Sequence, residues 1–298
     1  MNRRKSLSKL ASLTAIPFLS NFVMNQSLLQ RPIPSTGEKL PAVGVGTWQT
    51  FNVGSGPDDR KPLKDVLRKM IDAGARVIDS SPMYGNSEDV VGDLSTEIGV
   101  NDRLFIATKV WTSGEQEGIR QMNRSFELLK RQKMDLMQVH NLVDWQTHIK
   151  TLRKWKDEGK VRYIGLTHYT DSSHATLASI IRNHPIDFVQ VNYNLIDWNA
   201  EKELFPTAVE RKVAIIVNRP FEEGALFQRT KGKQLPEWAA EFDCKSWAQF
   251  FLKFILSHPA VTCAIPGTSK VSHLLDNLGA AMGRLPDTTQ REKMKSAI

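Results

Sequence analysis

Val77-Ile78-Asp79-Ser80-Ser81-Pro82-Met83-Tyr84-Gly85-Asn86-Ser87-Glu88 is the stretch on which the reading of this chain turns. A short apolar strand ends at Asp79, a Ser-Pro turn follows, and Tyr84-Gly85 precedes a helix that Asn86 or Ser87 caps. Asp79 and Tyr84 therefore share the C-terminal rim of one strand. A strand over 104–108 delivers Lys109 to its own C-terminal end, and one over 134–139 delivers His140 in the same way. A carboxylate, a phenol, an ammonium and an imidazole thus converge on one face.

Outward from this run, strand and helix signals alternate at near-regular spacing. The segment 32–44 reads as a hairpin turning at Ser35-Thr36-Gly37, a plug or lid ahead of the main pattern. Strands are predicted over 43–47, 77–79, 104–108, 134–139, 163–166, 188–191, 213–217 and 261–265. Helices are predicted over 62–73, 87–97, 115–131, 145–158, 174–182, 201–211, 245–256 and 271–282. Such alternation implies right-handed parallel β-α-β units. Eight of them in about 250 residues match an α/β (β/α)8 TIM barrel better than a doubly wound sheet. Gly44-Val45-Gly46-Thr47-Trp48 lacks the third glycine and the immediate helix of a dinucleotide fingerprint, so the open-sheet dehydrogenase reading falls. Two insertions, 49–61 and 220–244, follow strands and so belong to the catalytic face, where long loops cover substrate or cofactor.

The chain has 298 residues, 41% of them hydrophobic, enough for a large core. Its formal charge is +8, but Arg3, Arg4, Lys5 and Lys9 stand in an acid-free segment 1–30, and without those four the excess is +4. The densest basic run, Lys150, Arg153, Lys154, Lys156, Lys160 and Arg162, lies on a helix and its exit and reads as a solvated face, not a nucleic-acid site. Cys244 and Cys263 form neither a disulfide framework nor a metal-ligand spacing, and the histidines form no ligating pair, so no metal is expected.

Residues 1–30 read as a targeting segment, with 31–298 as the barrel. Arg3-Arg4 precedes Leu7 and a weakly apolar run over 10–24 that is too short for a transmembrane span. It resembles a twin-arginine signal, which implies the twin-arginine export machinery as a partner and a periplasmic location. Ser6 departs from the usual Phe, and no small-x-small cleavage site follows. The alternative is a basic tail on a cytoplasmic protein.

The chemistry follows from the four convergent groups. An ammonium beside a phenol stabilises the phenolate and should lower its pKa, and a carboxylate beside the lysine keeps the lysine charged and placed. Tyr84 is then the acid, Lys109 its tuner and Asp79 the anchor. His140 would hold a carbonyl oxygen near Tyr84 and support the developing alkoxide. Such a site protonates an oxygen as hydride reaches the adjacent carbon.

The sequence resembles the aldo-keto reductase family from about position 31 to 285. The resemblance rests on Gly46-Thr47-Trp48, Val77-Ile78-Asp79 with Tyr84-Gly85 and Ser87-Glu88, Ala107-Thr108-Lys109, Val139-His140, 159–165, Gln190-Val191-Asn192-Tyr193-Asn194 and Ile265-Pro266-Gly267. It implies a monomeric barrel using NADP(H), with Asp79, Tyr84, Lys109 and His140 as catalytic tetrad. Cofactor positions carried over are Gly46, Thr47, Trp48, Asp79, Thr167, His168, Gln190, Asn218, Arg219, Thr268, Lys270 and Asn277. Several depart from the pattern. Thr167-His168 replaces the usual Ser-Asn, Asn218-Arg219 stands where many members stack a tyrosine on the nicotinamide, and Gly267 and His273 replace common basic residues. Arg219 is expected near the pyrophosphate. Lys270 still favours NADP, with NAD(H) as the alternative.

Trp48, Phe51, Met83, Trp111, Trp145 and Phe221 are expected to wall an apolar cleft, which suits an aldehyde or ketone with an apolar or aryl body. Two other functions remain open at this point: a non-catalytic nucleotide-binding regulatory barrel, and a cofactor-free barrel hydrolase or isomerase.

Overall fold

The computed structural model describes residues 27–298. The export reading falls on residues 1–26, outside the described residues. The fold is already under way before position 31: Leu28 is buried, and Leu29 N–H donates to Ala281 O at 2.8 Å.

A hairpin of β1 (Gln30–Pro32) and antiparallel β2 (Lys39–Pro41) comes first. Eight parallel strands follow, ordered as in the sequence: β3 (Val45–Gly46), β4 (Val77–Asp79), β5 (Phe105–Val110), β6 (Met134–His140), β7 (Val161–Thr167), β8 (Phe188–Asn192), β9 (Ala214–Asn218) and β10 (Val261–Ala264). Bridges from Val43 to Ala264 and from Gly46 to Gly267 bring the last strand to the first, as the predicted TIM barrel requires. Glycine makes that closure possible. A Cβ at Gly44 would lie 2.6 Å from Val77 O, and one at Gly46 2.8 Å from Ile265 O.

Around the strands run α1 (Pro57–Asp72), α2 (Ser87–Glu97), α3 (Glu115–Leu128), α4 (Trp145–Asp157), α5 (His174–Asn183), α6 (Leu204–Glu210), α7 (Ala225–Arg229), α8 (Trp247–Leu256), α9 (Val271–Gly279) and α10 (Thr288–Lys295). The longer amphipathic helices turn their buried apolar faces inward. In α1, Leu63, Val66, Leu67, Met70 and Ile71 recur at helical spacing and are buried.

Inside the barrel a separate apolar cluster joins Val77, Phe105, Leu136, Phe188 and Ile216 to Ile33 and Leu40 of the hairpin. The hairpin is thus the plug, and it closes the N-terminal end. Glu38 ties it there, pairing with Arg76 just ahead of β4 and with Arg162 on β7.

Most element ends differ from the sequence reading by one to three residues, and three differences are larger. Helix α1 begins at Pro57, not at position 62, because Pro57 itself suits the first helical position, Asp58 and Asp59 complement the dipole, and Arg60 is pinned by Asp93 at 2.6 Å and Asp89 at 3.0 Å. The insertion over 220–244 contains α7 and a short helical turn, Glu237–Phe242. An unpredicted α10 follows the barrel, started by a capping box between Asp287 and Gln290. Its Arg291 reaches Tyr193 Oη at 2.7 Å and Glu201 at 2.7 Å. Both cysteines are buried, and burial raises both thiols, Cys244 to about 11, so neither is an available nucleophile. No helix among the described residues is long and apolar enough to cross a membrane.

Candidate active site

The parallel register sets the floor of the site. Gly46 pairs with Asp79, Lys109 with Gln138, and His140 with Thr167, which pairs in turn with Gln190. The side chains of Asp79, Lys109, Gln138, His140, Thr167 and Gln190 therefore gather at the C-terminal ends of neighbouring strands.

Lys109 has no solvent exposure, and its Nζ donates to Asp79 Oδ2 at 2.7 Å and to Ser80 O at 2.6 Å. The same ammonium sits 5.0 Å from the centroid of the Tyr84 ring. Burial works against the lysine's charge, but Asp79 and Tyr84 outweigh it and hold its pKa above the ordinary value. Tyr84 behaves differently from the sequence expectation. Burial raises the phenol above its ordinary value, Asp79 adds to the rise, and the opposing pull of Lys109 does not overcome them. The phenol is thus firmly protonated, which is the form that can give up a proton.

His140 Nδ1 and Ser81 Oγ are 3.1 Å apart, and the Met83 N–H donates to the same Oγ at 3.3 Å. Burial first, then Lys109 and His168, pushes the imidazole pKa down to about 2, so the ring is neutral. Its edge meets the Tyr84 ring at 5.9 Å between centroids, and Trp111 stands 6.4 Å away.

On the far side of Asp79, Gln190 Nε2 donates to Asp79 Oδ1 at 2.8 Å, while Gln190 Oε1 accepts from Thr167 Oγ1 at 3.2 Å. Asn218 Nδ2 donates to His168 O at 3.1 Å, and its buried Oδ1 has no partner among the described residues. His168 Nδ1 accepts from the Tyr169 N–H at 3.0 Å. Arg219, in the left-handed region at φ 49°, pairs with Glu222 at 2.5 Å and lies 5.7 Å from the Tyr169 ring centroid. Thr47 is buried beside Ser80, its Oγ1 donating to Ser80 Oγ at 3.0 Å. Across the barrel mouth, Thr268 is buried and Lys270 immediately precedes α9, on which Asn277 is buried. Lys270 borders a cleft of about 420 Å³ shared with Asp58, Lys61 and Asp65 of α1 and its loop side.

The six side chains expected to wall a cleft differ in exposure. Trp48, Met83 and Trp111 are exposed at strand ends. Phe51 has no exposure and belongs to the outer core, Trp145 packs edge-on against His184 at 5.1 Å, and Phe221 packs against Phe227 at 4.9 Å. Phe51 is therefore sealed from solvent, whereas Trp145 and Phe221 keep part of their surface.

Residues 42–296 match the model of the aldo/keto reductase family. The chain belongs to the aldo/keto reductase family. Aldo-keto reductase YhdN of Bacillus subtilis is 27% identical over 226 residues, 71% of this chain and 66% of that protein. Methylglyoxal reductase YeaE of Escherichia coli is 27% identical over 257 residues, 83% of this chain and 88% of that protein. In fold, the chain is similar to an aldo-keto reductase from Klebsiella pneumoniae solved with NADPH, with a TM-score of 0.75 and 22% identity, covering 91% of this chain and 94% of the other. As a member of this family, the chain is an oxidoreductase.

Sequence reasoning missed Ser81 and Gln138. Ser81 lay inside the quoted run, but only the turn after β4 shows that it faces His140. Gln138 left a visible signal: a polar residue in a central strand, two positions before His140 and so on the same inward face.

Proposed function

We propose that this chain reduces an aldehyde or ketone to the alcohol with NADPH, with Tyr84 as proton donor. The observation that carries the reading is the buried Lys109 ammonium, fixed by Asp79 Oδ2 at 2.7 Å and lying 5.0 Å from the Tyr84 ring. A lysine has donors but no acceptor, so it leaves the Tyr84 proton free for a substrate oxygen while stabilising the phenolate that remains. Ser81 orients His140. With Met83 N–H donating to Ser81 Oγ and Ser81 donating to Nδ1, the neutral imidazole keeps Nε2–H as a donor to the carbonyl oxygen.

The cofactor reading rests on family membership and on groups that fit a nicotinamide dinucleotide. Asn218 Oδ1 and Arg219 Nε are buried without partners among the described residues, an acceptor suited to a carboxamide and a donor suited to a phosphate. Thr167, His168 and Gln190 border the first, and Thr268, Lys270 and Asn277 line the β10 side. When bound, the nicotinamide supplies the hydride. Relatives solved with NADP or NADPH support the phosphorylated form. Trp48, Met83, Trp111 and Tyr169 would hold an apolar or aryl carbonyl compound and keep water from the reacting carbon. The reading includes a monomer.

Tyr84→Phe is the test. It should lower carbonyl reduction by roughly 100-fold or more while NADPH binding persists. Activity within a few-fold of the parent would sink the assignment.

The acid-free, twin-arginine character of 1–30 supports export to the periplasm as a folded protein. Arg3→Lys with Arg4→Lys should leave an active enzyme trapped in the cytoplasm. A parent protein found full length only in the cytosol would remove the export reading.

A further inference from the structure

Asp79 is nearly inaccessible, and a buried ion pair holds together only if the remaining lone pairs find donors. Its Oδ2 takes the Lys109 ammonium. Its Oδ1 takes two side-chain amides, Gln190 at 2.8 Å and Gln138 at 3.3 Å. The two amides are not equivalent. The Gln190 oxygen is satisfied, because it accepts from Thr167 and Asn218. Gln138 has no exposure; among the described residues its only side-chain bond is to Asp79, and its buried Oε1 has no partner. An apolar side chain of similar shape would avoid the cost of that orphaned oxygen. Gly165 leaves the space for it. A Cβ there would sit 3.2 Å from Gln138 Cγ and 2.9 Å from Phe188 O.

We propose that Gln138 is a positioning residue for carbonyl reduction, holding the Asp79 carboxylate so that it keeps the Lys109 ammonium charged and aligned on Tyr84. The inference rests on the reductase reading given above. The other titratable groups facing the Asp79–Lys109 pair are Tyr84 from the loop after β4, Glu88 from α2, His140 from β6 and Cys263 from β10. None of them donates to Asp79 Oδ1, so the two glutamines share that duty.

Gln138→Met keeps the volume and removes both the donor and the orphaned oxygen. For the full-length enzyme, kcat should fall roughly 10-fold, as expected for losing a hydrogen bond to a charged group. NADPH affinity, read by nicotinamide fluorescence, and Tm should stay near the parent's. The alkaline limb of the kcat profile should move to lower pH, because a looser Asp79 holds the lysine proton less firmly. In an Asp79→Asn background the same substitution should cost almost nothing further, since its effect passes through that carboxylate. An unchanged kcat and pH profile, or a full additional loss on top of Asp79→Asn, would overturn the proposal. If Gln138→Met fails to fold, Gln138→Glu serves instead: activity at acid pH that falls as the new carboxyl ionises supports the role, and a flat profile overturns it. Tyr84→Phe separates the two levels. If it abolishes reduction while Gln138→Met is neutral, only the positioning role fails; if it leaves reduction intact, the reductase reading itself fails.

Discussion

The two ends of the barrel carry the same three kinds of group and use them differently. At the N-terminal end, Glu38 of the plug accepts from Tyr163 Oη at 2.7 Å, from Arg76 at 3.1 Å and from Arg162. At the C-terminal end, Asp79 accepts from Lys109, and Lys109 stands between it and Tyr84. The order of the trio is the difference. A phenol that donates to a carboxylate has spent its proton on structure, whereas a phenol facing an ammonium has not. Exposure differs as well. The side chains of Glu38, Arg76 and Arg162 keep 22%, 33% and 33% of their surface, against 3% and 0% for Asp79 and Lys109. A partly hydrated pair tolerates the loss of a partner; a dry one does not.

Lys109→Met tests that contrast most severely. It strands a buried carboxylate and should destabilise the fold by about 3–5 kcal/mol, read by urea unfolding, with carbonyl reduction lost. A stability near the parent's would mean that water reaches Asp79. Lys270→Ala sharpens the account of the catalytic end. If Lys270 meets the 2′-phosphate, NADPH binding should weaken by about 1.5–3 kcal/mol while NADH binding hardly changes, and equal losses would place Lys270 elsewhere.

Tyr163→Phe is the counterpart of Tyr84→Phe and should cost only about 1 kcal/mol of stability, with kcat within a few-fold of the parent. A large loss of activity would show that the plug end is coupled to the chemistry.

The remaining effects are in pH dependence, and their signs follow from the shifts. Burial alone would raise the Glu38 pKa, but the Tyr163 hydrogen bond and the two arginines hold it below 4.5. Its stabilising contribution is therefore complete above that value and fades as the pH falls through the folded pKa. His140 is held down near 2, against an ordinary 6.5, so below 6.5 the unfolded chain takes up a proton that the folded one refuses. Stability should fall with pH between those limits, and His140→Gln should flatten the decline seen by thermal melts from pH 7 to 5. An unchanged slope would mean the ring protonates in the folded state.

How much of this could be read in advance depended on sequence distance. Helix α2 at Ser87–Glu97 and the strand end at Asp79 follow from local pattern and turn chemistry and stand where the pattern put them, while β5 runs through Lys109 to Val110, two residues beyond the predicted end. The start of α1 was misplaced because two prolines compete for the first helical position, and the choice is made by Arg60 reaching Asp89 and Asp93 on another helix. The direction of the Tyr84 shift was also misjudged, because the charge of Lys109 is legible in the chain but the burial that outweighs it is not.

The sequence by itself determined the alternation of strand and helix, hence the barrel, and the identity of the groups at its C-terminal rim, because periodicity and strand-end position are local properties. Tertiary structure alone decided which of those groups meet. Gln190 reaches Asp79 across 111 positions and Gln138 across 59, and Glu38 reaches Tyr163 across 125. Such meetings are fixed by the register of closed strands and by how much water the closure expels, and neither quantity is carried by any one segment of the chain.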